Sequence, residues 1–149
     1  GHTDEHVFWQ EIRNKTGTRD DDTTLRNEIL SRFILRPWMF DIVERLKASG
    51  IRVAILSDQT NWLDELNERD DFFRFFDFIF NSFHLGKSKV DPSHFTDTIS
   101  RLGSTPEKLL FIDDTATHCE TACKAGIHAI NFVDRESFIS EIRCFFPFL

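Results

Sequence analysis

Apolar positions recur every three or four residues at the start of the chain and then gather into short unbroken runs. Phe8, Trp9 and Ile12 share one side of a predicted helix over 4–15, which Gly17 stops. Leu25, Ile29, Leu30 and Phe33 share one side of a second, over 25–33. Arg19, Asp20, Asp21 and Asp22 link them. Those acids crowd the second helix's start, where its dipole favours them, so the run reads as solvated capping. The pair predicts a helical hairpin ending at Pro37. Ile42, Val43 and Leu46 then predict a helix over 38–48, closed by Gly50.

From there strands and helices alternate. Strands are predicted at 51–56, 76–82, 109–112 and 127–132, and helices at 59–69, 92–102, 117–125 and 137–145. Short links between them call for an α/β fold, a Rossmann-like parallel sheet with flanking helices. Runs such as VAIL and LLFI fit a sheet buried on both faces. Ligands of such sheets bind beyond the carboxyl ends of the strands. Ser57, the loop around Lys87 and Lys89, and the pair Asp113 and Asp114 all fall there.

Size and charge narrow the field. With 149 residues the chain is one domain with at most a small appendage. A net charge of −7 and the lack of a Lys/Arg run argue against a nucleic-acid surface. No apolar stretch reaches membrane-span length and no signal-peptide pattern opens the chain. Cys119, Cys123 and Cys144 have no paired spacing, which points to a reducing compartment, and a cytoplasmic location is expected. Cys119 and Cys123, beside His118, read as small packers rather than a metal site. Trp9 and Trp38 are candidates for a substrate pocket, but at helical spacing they read as core.

The acid pair is the strongest chemical signal. Two carboxylates about 4 Å apart repel by roughly 4 kcal/mol at an effective dielectric near 20. A divalent cation is the natural counter-charge. A hydroxyl, a lysine and an acid pair on three loops at one sheet edge suit a phosphoryl group. The acids hold Mg²⁺, the lysine neutralises phosphoryl oxygens, and the hydroxyl donates a hydrogen bond.

LSD at 56–58, GKSKVDPSHF at 86–95 and IDDTATHCETACKAG at 112–126 resemble the second, third and fourth motifs of the haloacid dehalogenase-like (HAD) hydrolases. Order and spacing match from about 36 to 132. The resemblance implies a HAD-like core over 37–149 and a partial helical cap over 1–36. It implies that Ser57 binds the transferring phosphoryl oxygen, that Lys89 compensates charge, and that Asp113 and Asp114 hold Mg²⁺ directly or through water. Asp58, where the family often has asparagine, joins Ser57 and Lys89 in the substrate-binding set and adds negative charge near the phosphate. Lys87 is a solvent- or substrate-facing neighbour. His118 follows the acid pair where asparagine is common and reads as structural. Val90 replaces a proline.

The family's first motif, two aspartates on an early strand, has no counterpart here. The resemblance therefore implies a chain without its nucleophile and inactive as it stands. The complete protein would be a Mg²⁺-dependent phosphatase acting on a small phosphate ester through an aspartyl-phosphate. In the family that strand lies between those ending at Ser57 and Asp113. Its loss strands about ten backbone groups at roughly 1 to 3 kcal/mol each. That rivals a domain's whole stability of about 5–15 kcal/mol. Three outcomes are expected: a cleaved N-terminal segment stays in the sheet, a second copy exchanges a strand, or the Ser57 and Asp113 strands pair directly. The alternatives are a non-catalytic phosphate- and metal-binding or regulatory module, and a haloacid dehalogenase. The acid pair argues against a dehalogenase. A two-component receiver would place its acids before the lysine.

Overall fold

A computed structural model describes residues 5–149. The helix expected from Asp4 runs Glu5–Thr16 (α1), and Asp4 itself lies outside the described residues. The second helix is Asp22–Ser31 (α2). Asp21 caps it by accepting from the Thr24 N–H at 2.7 Å. Asp22 in its first turn pairs with His6 and Arg13 of α1. The acidic link therefore acts as the expected cap and also staples the hairpin.

The rest alternates as the pattern predicts. Pro37–Ala48 (α3), Ala54–Ser57 (β1), Trp62–Asp70 (α4), Phe78–Asn81 (β2), the one-turn helix Ser82–Leu85 (α5), Pro92–Leu102 (α6), Leu110–Asp113 (β3), Ala116–Lys124 (α7), His128–Asn131 (β4) and Arg135–Phe145 (α8) follow in order. The predicted Pro92–Leu102 helix is reproduced at both ends. Pro92 is pre-set for the first turn, and Gly103 closes it at φ 57°, a conformation costly for other residues.

β1 pairs in parallel with β2, placing Ser57 opposite Asn81. β3 pairs in parallel with β4, placing Asp113 opposite Asn131. Among the described residues these are two separate two-stranded sheets. β1 and β3 do not close onto each other, so the third expected outcome is not observed. A cleft of about 450 Å³ separates them instead. Leu56 and Phe80 of one pair, Phe111 of the other and Ile127 just before β4 line it, with Phe95 on its wall.

Helices hold the two pairs in place. α3 reaches both: Ile42 and Leu46 pack with Ile130 of β4 and with Phe138 and Ile142 of α8. Its Phe40 joins the cluster around Leu63, Leu66, Phe72, Ile55 and Ile79. On α6, Phe95 packs with Leu56 of β1, Phe111 of β3 and Ala122 of α7. These apolar contacts fix the relative placement of strands that share no hydrogen bonds. α2 meets α4 through Arg26 and Glu65. Arg69 donates to the carbonyls of Leu30 and Phe33 at 3.1 and 2.8 Å. Trp9, 1 % exposed, stacks on Trp62 of α4 with ring centroids 5.7 Å apart. Trp9 is therefore core, and Trp38, half-buried, packs against the core through Phe132 and Phe138. No helix among the described residues is long and apolar enough to cross a membrane.

Candidate functional site

Both parallel pairs end their strands at the same rim, and the polar residues of interest gather there. Ser57 is the last residue of β1. Its Oγ accepts from the Gln59 N–H at 3.1 Å, which folds the next loop back over the strand end. Asn81, buried at the end of β2, donates from Nδ2 to the Thr60 carbonyl at 2.9 Å and holds the far side of that loop. Asn81 was not singled out from sequence. A polar residue ending an apolar strand, in register with Ser57, is the signal that would have found it.

Asp58 and Lys89 meet across 31 residues. Both carboxylate oxygens of Asp58 lie 3.0 Å from the Lys89 backbone N–H. The Lys89 side chain runs the other way. Its Nζ donates to Asp113 Oδ2 at 2.5 Å, with the two side chains 10 % and 8 % exposed. The ammonium also sits 5.8 Å from the Phe111 ring centroid. Lys89 thus connects the Ser57 loop to the end of β3. The structure brings Asp58, Lys89 and Asp113 into direct contact, with Ser57 next to Asp58 and Asp114 next to Asp113 along the chain.

Asp113 is heavily engaged. Besides Lys89, its Oδ1 accepts from the Thr115 N–H at 2.9 Å and lies 3.1 Å from His118 Nδ1. Burial pushes its carboxyl up, but the Lys89 and Thr115 hydrogen bonds, the Lys89 charge and the His118 contact outweigh that and hold it below its ordinary value. His118, read as structural from sequence, is a direct neighbour of the acid. Asp114 is exposed, and the Thr115 hydroxyl donates to its carboxylate at 3.4 Å. Lys87 pairs with Asp97 at the half-open surface, as a solvent-facing neighbour should.

Two further groups lie beneath. Cys119 is buried, its Sγ near the carbonyls of Asp113 and Ile130, and packs as expected. Cys123 is exposed and does not pack as expected, and Cys144 is exposed too. His94 on α6 is 1 % exposed, with Nε2 unpartnered. Burial pushes its pKa down, against the opposing pull of Asp58 and Asp97.

The described residues form no cluster of three or more His, Cys, Asp or Glu able to enclose a metal. Mg²⁺ does not need one. It keeps several waters and is held by one or two carboxylates plus substrate phosphate oxygens. The hard oxygens of Asp113 and Asp114 fit that donor set; Asp114 is exposed, whereas Asp113 is 8 % exposed and already bonded to Lys89 and Thr115.

Comparison with known proteins gives the family and the fold. The profile described as "Hydrolase: haloacid dehalogenase-like hydrolase" matches residues 4–126. Bifunctional epoxide hydrolase 2 of Rattus norvegicus is 28 % identical over 120 residues, 76 % of this chain and 21 % of that protein. Phosphoglycolate phosphatase of Aquifex aeolicus (strain VF5) is 32 % identical over 88 residues, 56 % of this chain and 40 % of that protein. The chain therefore spans only a minor part of these relatives. A predicted HAD-like family hydrolase from Porphyromonas gingivalis superposes with a TM-score of 0.81 at 25 % identity, covering 100 % of this chain and 76 % of that one. A HAD family enzyme from Bacteroides thetaiotaomicron, in complex with magnesium and inorganic phosphate, gives a TM-score of 0.74 at 20 % identity over 87 % of this chain and 67 % of that one.

Proposed function

This chain belongs to the haloacid dehalogenase-like hydrolases, and we propose that it carries the phosphate- and metal-binding part of a Mg²⁺-dependent phosphatase for a small phosphate ester. The observation that carries this reading is the two-ended Lys89, held to Asp58 by its N–H and to Asp113 by its ammonium. It brings a hydroxyl, a buried cation and an acid pair to one rim. The likeness to phosphoglycolate phosphatase supports a phosphate ester. The magnesium and phosphate of the Bacteroides structure are the same ligand pair.

In this reading the Ser57 hydroxyl hydrogen-bonds a phosphoryl oxygen, giving up its turn with Gln59. The Lys89 ammonium offsets charge on the phosphoryl group and orients Asp113. Asp113 and Asp114 hold Mg²⁺, which when bound adds positive charge beside the phosphoryl oxygens. His118 and the Thr115 N–H keep Asp113 facing the rim. The nucleophile is an aspartate on an extended segment in the cleft between β1 and β3, supplied by a longer form of the protein or by a second copy. Its attack on phosphorus gives an aspartyl-phosphate while the second aspartate of that segment protonates the leaving oxygen, so the alcohol departs, and water then cleaves the acyl phosphate to free phosphate. We assign 1–36 to a partial cap and 37–149 to the core.

Calorimetric titration of this chain with Mg²⁺ and inorganic phosphate, beside turnover of a generic phosphate ester by the complete protein, tests the reading. Joint binding here and Mg²⁺-dependent turnover there are expected, both lost in Lys89→Ala. Turnover of a 2-haloacid in chelator would establish the dehalogenase instead. Binding with no turnover, in a reading frame without an upstream strand bearing two aspartates, would establish the non-catalytic module.

A further inference from the structure

Asp58 is the one rim acid that the proposed chemistry leaves without a task. We propose that Asp58 is a positioning residue that seats Lys89, and is not a ligand of the substrate. The inference rests on the phosphatase reading for its purpose, but its geometry stands apart from it.

Both oxygens of Asp58 face a single peptide N–H, that of Lys89, at 3.0 Å. A carboxylate accepting from a backbone N–H makes a charge-assisted bond, stronger than a neutral one. The support beneath Asp58 is firm: Ser57 Oγ takes the Gln59 N–H and Asn81 holds the Thr60 carbonyl, so the loop is tied on both sides. The segment that Asp58 grips is tied to α6 by the surface pair of Lys87 with Asp97, but nothing except Asp58 ties its backbone to the Ser57 loop among the described residues. Val90 is 76 % exposed and gives no apolar anchor. Beyond it, the Asp91 N–H bonds back to the Ser88 carbonyl, and the Asp91 side chain caps α6 through the Ser93 N–H. Those bonds shape the turn locally without tying it to the Ser57 loop.

The consequence reaches the chemistry through Lys89. Its Cα is fixed from the β1 side while its ammonium must meet Asp113 on the β3 side, across the gap between two strand pairs that share no ladder. Releasing the N–H frees the lysine stem, and a displaced ammonium leaves Asp113 buried without its main counter-charge. A direct role on substrate conflicts with this placement. An acid aimed at a phosphoryl dianion repels it, whereas an acid turned onto a peptide N–H places its charge where the bond uses it.

Amide hydrogen exchange of Lys89, read residue by residue on this chain, tests the proposal with Asp58→Ala and Asp58→Asn. Losing a hydrogen bond to a charged acceptor should speed Lys89 exchange by about 10- to 100-fold in Asp58→Ala. Asp58→Asn keeps one acceptor oxygen and should retain most of the protection. Affinity for inorganic phosphate with Mg²⁺ should fall in the alanine variant and be largely restored in the asparagine variant. Unchanged Lys89 exchange in Asp58→Ala, or random-coil exchange in the unmodified chain, would overturn the proposal. So would an equal change in phosphate affinity in both variants with Lys89 protection intact, the signature of a substrate ligand. Should the alanine variant fail to fold, the asparagine variant and the unmodified chain decide. If the unmodified chain binds no phosphate, the phosphatase reading fails while the exchange data still judge the clamp.

Discussion

Replacing Lys89 with methionine removes the cation but keeps the length of the stem. It leaves the Asp113 carboxylate, 8 % exposed, with only His118 and the Thr115 N–H. Breaking a buried pair by deleting one partner costs about 3 to 5 kcal/mol, because the other charge stays desolvated. Against a domain stability of about 5 to 15 kcal/mol that is a large share. At a urea slope of about 2 kcal/mol per molar, Lys89→Met should lower the midpoint by about 2 M. Asp113→Asn leaves the opposite defect, a buried ammonium facing an amide. The double variant removes both charges and should recover most of the loss, which a double-mutant cycle reads as coupling. The pH dependence carries the same logic. In the unmodified protein Asp113 sits below its ordinary 3.8, so its contribution is complete at neutral pH and disappears only as pH falls through that lowered value. In Lys89→Met the burial is no longer opposed by the lysine and the carboxyl pKa rises. The variant's deficit should therefore shrink from neutral pH toward about pH 4. Single variants costing under about 1 kcal/mol, or strictly additive costs, would refute the claim that these charges form one buried unit.

Trp9→Ala should cost about 3 to 5 kcal/mol in chemical denaturation, since Trp9 is buried against Trp62 and Phe8. Its loss should also unpin α1 from α4, seen as faster exchange in both. Gly126→Ala should lower the melting temperature, with a cost of about 1 kcal/mol or more. Gly126 has φ +85°, and an added Cβ would lie 3.2 Å from Pro106 Cβ. His94 is held neutral by burial, so the unfolded chain takes up its proton first as pH drops below 6.5. Stability should decline from there toward the lowered folded value, and His94→Leu should flatten that slope in denaturation curves taken across the range.

Much was legible in local pattern. The 3.6-residue period placed α1, α2, α3 and α8, and the Pro and Gly punctuation fixed α6 at both ends. Unbroken apolar runs marked four parallel strands, and the residue types after them marked Ser57, Lys89, Asp113 and Asp114. These features follow from backbone preference and the burial of one face, which neighbours in sequence set. The strand limits did not follow. The first strand, expected from Ile51, begins at Ala54, because the Val53 N–H is taken by the Asp77 side chain and the ladder with Phe78 starts one residue later. The helix expected from Gln59 begins at Trp62, because the loop before it folds over Ser57 and under Asn81. Nor could any periodicity show that Asp58 grips the Lys89 backbone, that His118 touches Asp113, or that β1 and β3 stand apart across a cleft. Each depends on groups brought together from distant parts of the chain by packing on α3 and α6. A residue's type limits what bonds it can make, and only the folded arrangement of the helices decides which partner is within reach.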